Sequence, residues 1–170
     1  MNQNVNTTNR KDLLLRKMEK KINSVGFSLK KVTTEQFAII EEGFDEKGKI
    51  RLNTSMRFAA DEKQKYIAVY TSFTFDSDNN PFLLVEASCH FSIQDNAWAG
   101  MYNKDLNTLT IPKGFLCHLA MLTVGTSRGI LHAKTEGTCF NKYVLPTINV
   151  TQIIRKDTIF SFNKASDLTN

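Results

Sequence analysis

The chain has 170 residues, of which 41% are hydrophobic and 23% are charged. This length and composition are typical of one globular domain, and they exclude both a disordered chain and a domain that needs metals or disulfides to fold. The formal net charge is +5, but residues 1–31 hold eight Lys or Arg against two Asp or Glu. The remainder has 14 basic and 15 acidic residues, so the basic character belongs to an N-terminal arm.

The cysteines and the apolar runs indicate the compartment. Cys89, Cys117 and Cys139 are far apart and odd in number, which predicts reduced thiols. No apolar run approaches the roughly 20 residues of a membrane span, and the first residues are too polar for a signal peptide. We therefore expect a cytoplasmic protein.

The first predicted element is an amphipathic helix that ends near Ser24, before Gly26. Apolar residues recur along it at helical spacing on one face, while most of its basic residues lie elsewhere. The apolar face consists of Leu14, Leu15, Met18 and Ile22.

Four segments of alternating apolar and polar residues then predict strands. The predicted strands span residues 27–33, 49–59, 66–76 and 82–93. Polar turns at 61–64 and 78–81 join the last three, which favours antiparallel hairpins. A longer loop separates the first strand from the second.

The fourth strand is apolar at the start of both faces, with Leu83, Val85 and Ala87 on one side and Phe82 and Leu84 on the other. A single layer of helix covers one face of a sheet. We therefore expect the other face to meet a second subunit or a ligand.

A long helix is predicted over residues 113–135, because Pro112 is suited to a helix start and Gly137 to a helix end. Gly125 and Gly129 lie four residues apart on one face, although each glycine costs a helix about 1 kcal/mol relative to alanine. The pair indicates either close packing of the backbone against another element or a bend.

The chain after this helix predicts an extended linker at 139–149, which contains Pro146, and a short helix within 150–156. The predicted fold class is therefore α+β, with a four-stranded antiparallel sheet, a long helix, a short C-terminal helix and an extra N-terminal amphipathic helix. The predicted divisions are a basic arm at 1–26, a domain at 27–156 and a C-terminal tail at 157–170.

Three short sequences carry a resemblance to a known family. They are Phe-Ser-Leu-Lys-Lys-Val-Thr-Thr at 27–34, Phe-Ser-Ile at 91–93, and Gly137-Thr138 followed by Leu-Pro-Thr-Ile-Asn-Val at 145–150. Their order and spacing resemble the SecB family of export chaperones, from about Phe27 to Gln152.

The resemblance implies a homotetramer, built as a dimer of dimers, that binds unfolded or nascent polypeptides in an apolar groove bordered by the linker and the second helix. It implies that Leu83, Val85 and Ala87 lie at a subunit interface and that the long helices, with Gly125 and Gly129, pack between subunits. Exposed apolar residues are what such a groove needs. The residues that we expect to line it are Ile50, Leu52, Met56, Phe82 and Leu84.

The choice of partner stays open at this stage. Familiar SecB chaperones dock on the translocase motor SecA through an acidic surface, which this near-neutral domain does not have, and looser SecB-like proteins accompany toxin–antitoxin pairs. SecA and an antitoxin are therefore both candidate partners. The second hypothesis is an interaction module for one dedicated protein. The third is a nucleic-acid binder acting through the basic arm, although no aromatic residue lies within that arm before Phe27 to stack on bases.

Enzymatic chemistry is not indicated. Cys89–His90 and Cys117–His118 are adjacent pairs, but strand neighbours point to opposite faces and helix neighbours diverge by about 100°. No phosphate-binding loop or metal-ligand spacing occurs. We therefore expect a non-enzymatic protein without catalytic residues, cofactor or metal.

Overall fold

The structure is a computed structural model that describes residues 25–162. It contains a four-stranded antiparallel sheet and one long helix, which confirms the α+β class. The predicted N-terminal helix lies outside the described residues. The strands of the large sheet are β1 (Phe27–Ile39), β2 (Ile50–Asp61), β3 (Tyr66–Ser77) and β4 (Asn80–Ile93).

The remaining elements follow β4 along the chain. They are α1 (Asp95–Met101), β5 (Tyr102–Asn103), β6 (Thr108–Ile111), α2 (Lys113–Thr135), α3 (Val150–Ile153) and β7 (Thr158–Ser161). Single 3-10 turns occur at Glu41–Gly43 and Cys139–Lys142.

The large sheet has the strand order β1-β4-β3-β2, so β1 and β2 form its two edges. The β3–β4 hairpin is tight, since Ser77 pairs with Asn80 across the two residues Asp78 and Asn79. Both of these have positive φ, 50° and 71°, as a type I′ turn requires. Asp and Asn tolerate this conformation better than most side chains, which is why the sequence turns here.

Strand β1 is longer than predicted, because it continues from Thr33 to Ile39. Its pairing with β4 shifts between Leu29 and Lys31 and again between Thr34 and Gln36. Each shift adds a residue that breaks the alternation of faces. The second half of β1 therefore has no clean strand pattern in the sequence.

Helix α2 has the predicted bounds and packs mainly on β3 and β4. Its first turn has no capping side chain of its own, and Asp157 accepts a hydrogen bond from the Lys113 amide at 2.8 Å instead. By length and composition alone α2 is apolar enough to cross a membrane, but half of its most apolar stretch is buried in the fold. It is the central helix of the core.

The face of the sheet that points away from α2 is polar. Arg57, Tyr70, Ser88 and Thr33 form one row across all four strands, and the Arg57 guanidinium lies 3.4 Å from the centre of the Tyr70 ring. The expectation that an apolar second face must meet a subunit or a ligand therefore needs correction. Leu84 is the one large aliphatic side chain that the four described strands place there.

The C-terminal segment returns along the fold. Strand β7 pairs with β6, and the Phe162 amide donates to the Asn107 carbonyl at 3.0 Å. Residues 157–162, predicted to begin a tail, therefore belong to the folded unit.

Candidate functional site

The predicted subunit-interface residues on β4 lie inside the chain. Leu83, Val85 and Ala87 are fully buried on the face of the sheet that α2 covers. No surface of these side chains is left for a partner, so this part of the predicted interface needs correction. The alternation of residues predicted correctly that these three side chains share one face of β4. That face, however, is part of the core of the chain.

The two predicted interface glycines lie on the exposed face of α2. A Cβ built on Gly125 or Gly129 would meet nothing within 4 Å. Within the described residues, therefore, no other element packs against either glycine. Met121 and Leu122, one turn earlier on the same face, are 54% and 42% exposed. The helix runs without interruption past both glycines.

The five predicted groove residues do not form one surface. Phe82 is fully buried, because the register between β3 and β4 skips it and so allows its ring to leave the outer face. It stacks instead near Phe44 and Tyr143, with ring centres 4.9 Å from each. Leu84 lies on the polar outer face, paired with Thr74 and Ala38.

The other three predicted groove residues do lie together, on the helix side of the edge strand β2. Ile50 is 37% exposed, while Leu52 and Met56 are partly buried. Phe58 continues the same row, since it pairs with Val69 as Met56 pairs with Thr71. The alternation over residues 49–59 places Phe58 on the same face of the strand as these three residues. The sequence therefore already indicated Phe58 as a candidate site residue.

The linker after α2 runs beside this row. Near its start, the Tyr143 ring lies 5.7 Å from Phe75, whose cross-strand partner is Leu52. Beyond its end, Ile153, the last residue of α3, lines a cavity together with Phe58. The linker and α3 thus follow β2 over the seven residues from Leu52 to Phe58, a distance of about 20 Å.

We call this surface the trough. It has a floor on the helix side of β2 and a wall formed by the end of the linker and α3, and it is open toward the free edge of the sheet. Its apolar residues are Ile50, Leu52, Met56, Phe58, Ile153 and the almost fully buried Ile154. The exposed Thr54 lies between Leu52 and Met56 on the same face of β2.

A cavity of about 400 Å³ lies at one end of the trough. Phe58, Ile153 and Ile154 supply its apolar surface, and Arg155 and Lys156 supply its charges. Ile153 and Ile154 were not predicted as site residues, because nothing local in the sequence places α3 against β2.

Specific bonds hold the linker in this position. The Arg128 side chain on α2 donates from Nε to the Leu145 carbonyl and from Nη2 to the Pro146 carbonyl, both at 3.1 Å. The Lys142 Nζ donates to the Glu46 carboxylate at 2.5 Å. That hydrogen bond, together with the charge attraction, lowers the pKa of Glu46. The linker is therefore attached both to α2 and to the loop before β2.

The chain matches no protein-family model and no curated protein. Its function is therefore inferred from the arrangement of its own residues.

Cys89 and His90 point to opposite faces of the sheet, as predicted. The Cys89 thiol faces α2, 3.5 Å from the Thr126 hydroxyl, whereas the His90 ring lies on the outer face near Tyr70. On α2, burial raises the pKa of the Cys117 thiol, which keeps it protonated and a poor nucleophile.

A serine, a glutamate and a histidine also meet on the outer face, and no local pattern in the sequence indicates this cluster. The Ser88 Oγ donates to the Glu35 carboxylate at 2.5 Å and lies 3.2 Å from His90 Nε2. A hydroxyl has one hydrogen, and here Glu35 accepts it, so His90 is not placed as the base of a nucleophilic serine. Within residues 25–162, no three His, Cys, Asp or Glu side chains are grouped as metal ligands.

Proposed function

We propose that this chain is a SecB-like, non-enzymatic chaperone of the cytoplasm, and that it holds unfolded or nascent polypeptides in the trough without a cofactor. One observation carries the proposal: an edge strand, β2, keeps an apolar row that the long helix leaves uncovered and the linker borders. Such a row, open along its length, suits an extended chain better than a compact ligand.

The energetics of the trough favour loose and repeated binding. Burying one apolar client side chain is worth roughly 1.5–3 kcal/mol, while each ordered backbone residue of the client costs about 1–2 kcal/mol. Several subsites must therefore act together. Met56 adapts to different client side chains because it is unbranched and polarisable, and the free edge of β2 offers backbone groups for an added strand.

The residues that carry the resemblance to the SecB family have defined roles in placing the linker. Gly137 has φ +78° and ends α2. Leu145 is buried in the core, and the Asn149 side chain accepts a hydrogen bond from the Thr151 amide and caps α3. These roles support the resemblance, because the matching residues are those that bring the linker to the side of β2.

We further propose that copies of the chain assemble through the exposed face of α2, into a dimer or a homotetramer. Met121 and Leu122 offer apolar contact, and the two glycines admit a close approach of a second backbone. Gly125→Leu tests this at a position that is open within one chain, since an added Cβ meets nothing within 4 Å there. Light scattering is expected to give a smaller assembly for Gly125→Leu, whereas the matched control Gly100→Leu, equally open within the chain, keeps the assembly of the natural protein.

The decisive experiment for the holding function is suppression of aggregation. Several unrelated proteins are denatured and diluted in the presence of the purified chain, and light scattering is followed. The proposal expects suppression of most of them near a stoichiometric ratio. Suppression of none, or of a single protein, contradicts a promiscuous holder and favours the module for one dedicated partner.

An export role and a toxin–antitoxin role differ in the partner they require. Export requires binding to SecA, and toxin–antitoxin control requires binding to an antitoxin. Capture on the immobilised full-length chain, with each candidate supplied in purified form, separates the two.

A further inference from the structure

The cavity at the end of the trough combines an apolar floor with positive charge. Phe58 provides the floor and Ile153 the wall, with Ile154 almost fully buried beside it. Arg155 and Lys156 follow directly in the chain and line the same cavity. No Asp or Glu among residues 25–162 lines it. A peptide side chain seated on the floor would thus bring its neighbours close to two cations.

Both cations are available to a ligand. Arg155 and Lys156 are exposed, and neither takes part in an ion pair with another residue of the segment 25–162. The Arg155 Nε donates to the Gln152 carbonyl at 3.0 Å, which fixes the side chain against α3 and leaves its other donors free. The adjacent carboxylate, Asp157, bonds to the first amide of α2.

The charge of this end differs from that of the other end of β2. The loop before β2 carries four acidic residues and two basic ones, Lys47 and Lys49, and one of the acidic residues, Glu46, is paired with Lys142. An extended client in the trough would therefore meet a weakly acidic loop at one end, and Arg155 and Lys156 at the end that holds its apolar anchor. The four acidic residues of the loop are Glu41, Glu42, Asp45 and Glu46.

We propose that the trough selects polypeptide segments in which an apolar or aromatic residue is flanked by Asp or Glu. This inference rests on the proposed holding function and adds the chemistry of the preferred client. Acidic flanks meet Arg155 and Lys156 as charge-assisted hydrogen bonds, whereas Lys or Arg flanks are repelled by them. The ion pairs of the client carboxylates with Arg155 and with Lys156 are exposed to solvent, so the preference for acidic flanks depends on the salt concentration.

The test uses three labelled peptides with one apolar core and flanks of Asp, Ser or Lys. Fluorescence anisotropy is measured with the full-length chain at low and high salt. Two exposed ion pairs predict that the Asp peptide binds roughly 2- to 30-fold more tightly than the Ser peptide, that the Lys peptide binds most weakly, and that high salt reduces the differences.

Variants assign the preference to the two cations. Arg155→Gln with Lys156→Gln is expected to bring the Asp peptide to the affinity of the Ser peptide and to leave the Ser peptide unchanged. The matched control, Lys104→Gln with Lys134→Gln, removes the same charge from exposed positions that line neither the cavity nor the loop before β2 and is expected to keep the preference.

The possible results separate the two proposals. Equal binding of all three peptides, or a preference that survives Arg155→Gln with Lys156→Gln, overturns the selectivity and leaves the holding function standing. Binding of no peptide overturns the holding function and the selectivity with it. Peptide affinity that falls as the protein concentration rises shows that a second copy of the chain occupies the trough, which also overturns the inference.

Discussion

The exposed isoleucines at the two ends of the trough offer the sharpest test of its role. Ile50 is 37% exposed and Ile153 is 45% exposed, so each has a surface that a client could cover and that the fold itself leaves open. We predict that the double variant Ile50→Ser with Ile153→Ser binds an unfolded client more weakly while it still folds.

The size of the effect follows from the exposed fractions. Full burial of an isoleucine side chain is worth roughly 1.5–3 kcal/mol, and a client can cover at most the part that is exposed. Scaled by the exposures of Ile50 and Ile153, the two substitutions together cost about 1.2–2.5 kcal/mol of binding free energy. This corresponds to a rise in Kd of roughly 8- to 60-fold.

Titration of a fluorescent, permanently unfolded client by anisotropy measures this Kd, and urea denaturation checks that the variant folds. The matched control is Leu106→Ser with Ile159→Ser, which changes two still more exposed apolar residues outside the trough. The reasoning is refuted if the control weakens binding as much as the trough variant, or if the trough variant folds and binds like the natural chain.

Three further outcomes test the packing around the trough. Ser127→Ala leaves the buried Thr71 hydroxyl without its 2.7 Å partner, so urea denaturation should give a free energy of unfolding lower by about 1–3 kcal/mol. Adding Thr71→Val should recover part of this loss. If the losses of the two single variants add up in the double variant, the pairing is contradicted. Asp157→Ala removes the cap of α2 and should cost about 0.5–2 kcal/mol in the same assay. Lys142 lowers the pKa of Glu46 from its usual 4.5, so Lys142→Gln should lose a small stabilisation that is present above pH 4.5 and disappears as the pH falls through the lowered pKa. Midpoints of unfolding, measured across pH for both chains, check this. A difference between them that persists in acid contradicts the pairing.

Local patterns were sufficient to predict the elements that alternate or repeat without interruption. Strands β2 to β4 follow from strict alternation and polar turns, and the Asp78–Asn79 turn supplies the residues that tolerate positive φ. Helix α2 follows from Pro112 at its start and Gly137 at its end. These signals are local in the chain, and the fold follows them.

The sequence could not predict features that depend on distant contacts. The shifts in β1 and the bulge at Phe82 interrupt the alternation, so the pattern misassigned where β1 ends and which face Phe82 occupies. The trough was predicted in part, because Ile50, Leu52 and Met56 share a face of one strand. Its other wall comes from residues far along the chain, and no local pattern indicates that α3 packs beside β2.

The pairing of β1 with β4, the last strand of the large sheet along the chain, has a consequence for how the chain folds during synthesis. Strands β2, β3 and β4 join through short hairpins and can associate as soon as they leave the ribosome. Strand β1 emerges earlier than all of them, yet its partner is β4, with Phe27 opposite Ile93. The earliest strand must therefore wait for the latest, and its insertion at the sheet edge is expected to be the slow, loop-closing step of folding.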